Sequence, residues 1–358
     1  MSERMVEQFL EMVRIDSESG DEERMMQYLM EAVPAAGGQA RRDDYGNLVA
    51  RWEPRGCEGK DPLLLSCHAD TVKPGVGIEP VVEDGVVRSR GETILGADDK
   101  AGIAEALEAI RVAAVRPPLE FAVSRQEEVG LLGVKNLDFS LLSAKRGFLL
   151  DNDTLETIVI GGPSYFVIDV TVKGRSAHAG MEPEKGVSAI VAAARAISAL
   201  RLGRLDHETT ANVGVIEGGL IRNGVPERCK FLAECRSADH EKASELNREM
   251  LETIHMEAEK AGAGVDIFSD NLCRAVSIPE DAWTVQIAKK ALAKIGVEAE
   301  AVFITGFTDA SIYNNEGIEM AVVGIGAVGE HTAEEHIAVA DMERAVVMIQ
   351  EIFRLCAQ

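Results

Sequence analysis

Helix and strand periods alternate along most of the chain. Positions 23–33 carry apolar residues at helical spacing, and Ser19 with Glu22 forms an S-x-x-E pattern that predicts a capping box ahead of them. Pro34 and Gly37-Gly38 predict the stop. Short apolar strands follow at 47–52 and 62–67. Positions 101–115 place Ile103, Leu107, Ile110 and Ala114 on one face, which predicts a helix ending before Pro117-Pro118. Runs at 119–125 and 147–150 read as strands, the second apolar throughout at Phe148, Leu149 and Leu150. Continuous apolar strands alternating with helices predict an α/β sheet covered on both faces.

The pattern then changes. Phe166, Ile168, Val170 and Val172 alternate with polar neighbours over 165–173, as in a half-exposed strand. A helix at 186–202, strands at 212–216 and 230–236, a charged helix at 239–261 and a strand at 264–268 follow. That order, β-α-β-β-α-β, is the split βαβ or ferredoxin-like sandwich, and its length suits a small independent domain. Beyond it a helix at 280–295, strands at 300–304 and 319–325 and a helix at 341–355 return to the first style. The simplest organisation is a discontinuous main domain, 1–162 plus 274–358, with a second domain, 163–273, inserted.

Composition narrows the function. A chain of 358 residues with 46% hydrophobic and 27% charged residues is globular and long enough for two or three domains. The net charge of −23 opposes phosphate backbones and anionic membranes alike, so neither nucleic acid nor a membrane is an expected partner. The longest apolar-leaning run, 187–202, is interrupted by Arg195 and Arg201 and falls short of a membrane span. Glu3 and Glu7 stand where a signal peptide would carry basic residues, and the six cysteines show no paired spacing. Both features predict a cytoplasmic protein with reduced thiols.

Polar residues of interest cluster just after the predicted strands, where open α/β sheets bind ligands. They are His68 and Asp70, Asp98-Asp99, Glu127-Glu128, Asp151 and His331. Imidazole and carboxylate donors suit Zn²⁺, Mn²⁺ or Co²⁺, and two ions need five or six of them with one carboxylate shared. In His68-x-Asp70 the two side chains point the same way on a strand end, so Asp70 is placed to accept from the imidazole. Singly, each piece has a plainer reading. Asp98-Asp99 suits a helix N-cap, Glu127-Glu128 a solvated face, Asp151-Asn152-Asp153 a turn, and His331 and His336 a surface. Cys67 reads as a buried strand residue. Their joint recurrence at strand ends favours a site.

Taken in order, these segments resemble the M20 family of co-catalytic metallopeptidases, and especially its peptidase T-like branch. The resemblance is carried by His68-Ala-Asp70-Thr-Val, Gly96-Ala-Asp98-Asp-Lys-Ala-Gly102, Glu127-Glu128-Val-Gly130 and Asp151. It continues through Ser176-Ala-His178-Ala-Gly180, Gly218-Gly219, Asn223-x-x-Pro226, Arg236 and His331-x-x-x-Glu335, and so covers nearly the whole chain. It implies a zinc-exopeptidase-like mixed sheet with an inserted ferredoxin-like lid through which two copies dimerise. It further implies that His68, Asp98 and Asp151 hold one metal, and that Asp98, Glu128 and His331 hold the other. Glu127 would be the general base on a metal-bridging water, and Asp70 would orient His68. His178 would stabilise the oxyanion, within its own chain or across a dimer. Asn223 and Arg236 would bind the substrate's carboxylate or backbone, and Asp309 would lie on the substrate side. Asp44-Tyr-Gly46-Asn47 matches an early structural turn.

The implied function is di-metal hydrolysis of amide bonds in short peptides, of the aminopeptidase or tripeptidase kind. Two alternatives stand beside it: an amidohydrolase acting on N-acyl or N-carbamoyl amino acids, and an inactive relative serving as a binding protein. The intact ligand set with Glu127 argues against the second, because an inactive relative has no need of the base.

Overall fold

The computed structural model describes residues 2–358. It divides into two compact units. The first takes the chain up to Gly161, Ser277–Ile304 and Thr308–Gln358, and the second takes Gly162–Val276 with Thr305–Phe307.

A nine-stranded mixed sheet organises the first unit, in the order Gln39–Arg42, Leu48–Trp52, Leu119–Ser124, Leu63–His68, Arg146–Asn152, Glu319–Gly324, Thr157–Gly162, Val276–Ser277, with Glu300–Phe303 also on Thr157–Gly162. Its central strands are parallel: Leu63–His68 lies between Leu119–Ser124 and Arg146–Asn152, and the latter pairs with Glu319–Gly324. Every residue of Leu63–His68 and of Leu119–Ser124 is buried, which is why these runs are apolar without alternation. The helix Ala97–Val112 is buried from Asp99 through Ile110 and packs on the sheet and on the last helix, Val339–Cys356. Its buried Glu108 is matched by Arg4 of the first helix, Ser2–Val13, at 2.7 and 2.9 Å.

A second, four-stranded sheet was not marked by the hydrophobic pattern. It runs Ala327–Val328, His336–Ala338, Val86–Ser89, Pro80–Glu83. Ala327 pairs with Ile337 and Val328 with His336, so the intervening loop, which contains His331 and Glu335, is tied at both ends. The predicted capping box does not form. The helix Glu23–Ala35 has no side-chain cap and runs through Pro34 by one residue. Ser19 and Glu22 are drawn to distant partners instead, Asp70 and Arg125.

The second unit is a five-stranded antiparallel sheet in the order Gly203–Arg204, Thr209–Gly218, Arg228–Ser237, Ser164–Lys173, Gly264–Cys273. Two helices, Ala189–Ala199 and His240–Lys260, complete the β-α-β-β-α-β order. Alternate residues Ile168, Val170 and Val172 are fully buried with Phe231, Cys235, Met250 and Ile254. Burying a side chain such as Phe231 contributes roughly 1.5–3 kcal/mol. Ser188 and Asp239 cap the two helices through Val191 N at 3.3 Å and Glu241 N at 2.8 Å. No helix among the described residues is long and apolar enough to cross a membrane.

Candidate metal centre

The first unit brings His68, Asp98, Asp99, Glu128, Asp151 and His331 together at the carboxyl ends of its parallel strands. His68 ends the buried strand Leu63–His68, and Asp151 falls near the end of Arg146–Asn152. Asp98 and Asp99 stand at the start of Ala97–Val112 with non-helical backbone. His331 takes a positive φ of 60°, a strained conformation for a residue with a side chain.

Asp98 stands between the two imidazoles. Its Oδ1 lies 2.9 Å from His68 Nε2 and its Oδ2 lies 3.2 Å from His331 Nε2. Asp151 approaches His68 Nε2 at 3.4 Å, and Glu128 approaches His331 Nε2 at 3.0 Å. Donor atoms of His68, Asp98 and Glu128 lie within 4.8 Å of one another, as do those of His68, Asp99 and Asp151. Asp99 is no helix cap: its Oδ2 accepts from His68 N at 3.1 Å. Gly102 makes room for it, since a Cβ there would fall 2.2 Å from Asp99 Oδ1.

The electrostatics are those of carboxylates gathered around two imidazoles. Burial disfavours a charged His68, yet Asp98, Asp151 and Asp70 push its pKa well above the imidazole range. Hydrogen bonding to Asp98 and Glu128 raises His331 to about 10. Burial alone would raise Asp98, but the two imidazoles hold it well below the usual carboxylate range. Burial raises Asp151 to about 6. Asp99 Oδ1 is buried without a hydrogen-bond donor, and Glu128 Oε1, also buried, faces His331 Nε2 at 3.0 Å. Buried carboxylate oxygens without donors are costly unless a cation or proton sits on them. The oxygen and nitrogen donors therefore fit one or more borderline divalent ions.

Glu127 flanks this cluster and is 6% exposed. Burial pushes its carboxyl well above the usual range, with Asp151, Asp309 and Glu128 adding to the effect and His68 opposing it. Its backbone is held by Asp70, whose Oδ1 accepts from Glu127 N at 2.9 Å and whose Oδ2 accepts from Glu128 N at 3.2 Å. Asp70 orients His68 differently from the expected way. The Nδ1 of His68 bonds to the Asp70 carbonyl oxygen at 3.0 Å, with the carboxylate at 3.5 Å. Ser19, absent from the sequence-based site, donates from Oγ to Asp70 Oδ2 at 2.7 Å.

Asp309, expected on the substrate side, is buried close enough to Glu127 to act on its carboxyl. It accepts from Ser124 Oγ, and burial raises it to about 7. Cys67 is buried in its strand, and burial raises its thiol well above the usual range. His336 lies in the strand His336–Ala338 with Nδ1 2.8 Å from Glu334 O. The early turn is built on Asp43, which accepts from Gly46 N and Asn47 N at 2.8 and 2.9 Å.

His178, Asn223 and Arg236 belong to the second unit. His178 is exposed, and its Nδ1 accepts from Gly180 N and Met181 N at 3.2 and 3.1 Å. Two donors on Nδ1 put the ring proton on Nε2, the outward nitrogen. Asn223 accepts from Ala179 N through its carbonyl, and Gly224 pairs with His178. Arg236 is engaged: it donates to Glu234 Oε2 at 2.8 Å and Thr305 O at 3.0 Å and stacks over Tyr165.

Residues 165–261 match the peptidase dimerisation domain of the M20 family. The chain is 36% identical to the protein YqjE of Bacillus subtilis, over 99% of each chain. The crystal structure of the aminopeptidase PepT from Bacillus cereus superposes with a TM-score of 0.90 at 35% identity, covering 100% of this chain and 99% of that one. A tripeptidase from Staphylococcus aureus gives a TM-score of 0.94 at 33% identity with the same coverage. The chain belongs to the M20 family of peptidases, in its peptidase T-like branch.

Proposed function

We propose that this chain is a metal-dependent exopeptidase that hydrolyses short peptides as an aminopeptidase of the tripeptidase kind. It would use two divalent ions, Zn²⁺ or else Mn²⁺ or Co²⁺. The supporting observation is the placing of Asp98, with one oxygen toward His68 and the other toward His331. His68, Asp98 and Asp151 would hold one ion, and Asp98, Glu128 and His331 the other. When bound, the ions would polarise the scissile carbonyl and make water a better nucleophile.

The chain's own groups complete the reaction. Glu127 takes a proton from the attacking water at its carboxylate and passes it to the leaving amine. Asp70 fixes Glu127 through the backbone and His68 through its own carbonyl. His178 offers Nε2–H to the developing oxyanion, a role consistent with its two Nδ1 donors. Asn223 and Arg236 bind the substrate's carboxylate or backbone, with Arg236 exchanging Glu234 for the substrate. The match to a dimerisation domain supports a homodimer through the second unit.

The test is a panel assay on metal-stripped protein, with Zn²⁺, Mn²⁺ or Co²⁺ added back singly. Tripeptides with a free amino end are compared with N-acetylated peptides and with N-acyl and N-carbamoyl amino acids. Ion-dependent cleavage confined to free-amine peptides is the expected result. Faster turnover of the acyl amino acids would make it an amidohydrolase, and two bound ions without any turnover would overturn an enzymatic role.

A further inference from the structure

One buried carboxylate near the cluster serves neither as a ligand nor as the base. Glu335 is 2% exposed. Its Oε2 accepts from Leu95 N and Gly96 N, both at 2.7 Å, and its Oε1 accepts from Asp98 N at 3.1 Å. The three donors belong to the turn that leads from Leu95 into the helix Ala97–Val112. Gly96 holds φ at 72°, so successive N–H groups converge in a small anion-binding nest. The anion in that nest comes from the chain itself. It comes from the loop that also carries His331, four residues earlier, and that loop is tied at both ends by the pairing of Ala327 with Ile337 and Val328 with His336.

We propose that Glu335 is a positioning residue that sets the distance between Asp98 and His331, and through it the affinity of the site for its second divalent ion. A shared carboxylate is useful only if it stands at the right separation from both imidazoles, and Asp98 rides on the turn that Glu335 grips. A carboxylate is required because all three backbone groups are donors. An amide at this position offers one acceptor oxygen and turns an N–H₂ toward an N–H. The inference rests on the two-ion reading proposed above.

The test titrates Co²⁺ alone into metal-stripped wild type and Glu335→Gln, following the cobalt absorption bands and the bound stoichiometry. The wild type should take two ions. In Glu335→Gln the first should bind within a few-fold of wild type, and the second at least tenfold more weakly with altered bands. Excess Co²⁺ should then restore most of kcat with KM little changed, which a general loss of folding would not allow. Should Glu335→Gln not fold, Glu335→Asp carries the same test, because it keeps the charge but is one methylene short of the nest. Wild-type affinity and bands for both ions in the folded variant would overturn the positioning role alone. Failure of the wild type to take two ions would overturn the two-ion reading and this inference with it.

Discussion

Ser19 Oγ donates to Asp70 Oδ2 at 2.7 Å, joining the loop before the second helix to the strand end that carries His68. Asp70 also accepts from the backbone of Glu127 and Glu128, so a serine outside the His68–Asp98–His331 cluster helps to place Glu127, the proposed base. Removing a hydrogen bond to a charged group costs about 1.5–3 kcal/mol. Ser19→Ala should therefore lower stability by about that amount, reduce kcat several-fold and leave bound metal unchanged. Denaturant unfolding, steady-state kinetics and metal analysis on one preparation check all three. Unchanged stability and turnover would show that Asp70 is held without Ser19.

Glu127→Gln should keep the metals and lose turnover by roughly 10²–10⁴-fold, the usual effect of removing a general base. Glu128→Ala should instead lose metal, because Glu128 faces His331 at 3.0 Å. Metal content measured beside kcat separates the two. The opposite pattern would exchange their roles.

Asp98→Ala should strip both ions, since its two oxygens face two imidazoles. Asp99→Asn should retain them, because an amide oxygen still accepts from His68 N. Inductively coupled plasma analysis of the purified variants decides between them. Greater loss at Asp99 would make that residue the shared ligand.

Chelation should lower Tm. Ions that bind only the folded chain stabilise it by mass action, about 2.7 kcal/mol when free ion stands 100-fold above its Kd. Adding Mn²⁺ or Co²⁺ back should restore the transition, and a Tm indifferent to both would argue against a metal centre.

His178→Ala should fold, bind metal and keep KM, while kcat falls roughly 10²–10³-fold, as for loss of one oxyanion donor. If the donor acts across a dimer, mixing this variant with Glu127→Gln should recover part of the activity once subunits exchange. An unchanged kcat in the single variant would remove His178 from the reaction.

The sheet and the inserted unit were legible because burial leaves a plain mark. Leu63, Leu64 and Leu65 are apolar without alternation since both faces are covered, whereas Ile168, Val170 and Val172 alternate since one face is open. The small second sheet also had a readable signal that the hydrophobic periods do not capture. Asp84-Gly85, with φ of 51° and 77°, is a hairpin turn between Pro80–Glu83 and Val86–Ser89. Ser19 and Glu22 show the opposite case. Their local pattern favoured a capping box, and tertiary partners outcompeted it. Glu335 was visible only as a position after His331, because the nest that holds it is made of backbone from a remote part of the chain.

The inserted unit also imposes an order on synthesis. His68, Asp98, Glu128 and Asp151 leave the ribosome early, but His331 and Glu335 follow only after the whole of Gly162–Val276 has been made. Until then Asp98 has one imidazole and its turn has an empty nest. A nascent chain therefore cannot assemble the complete cluster until the segment carrying His331 and Glu335 has followed the inserted unit.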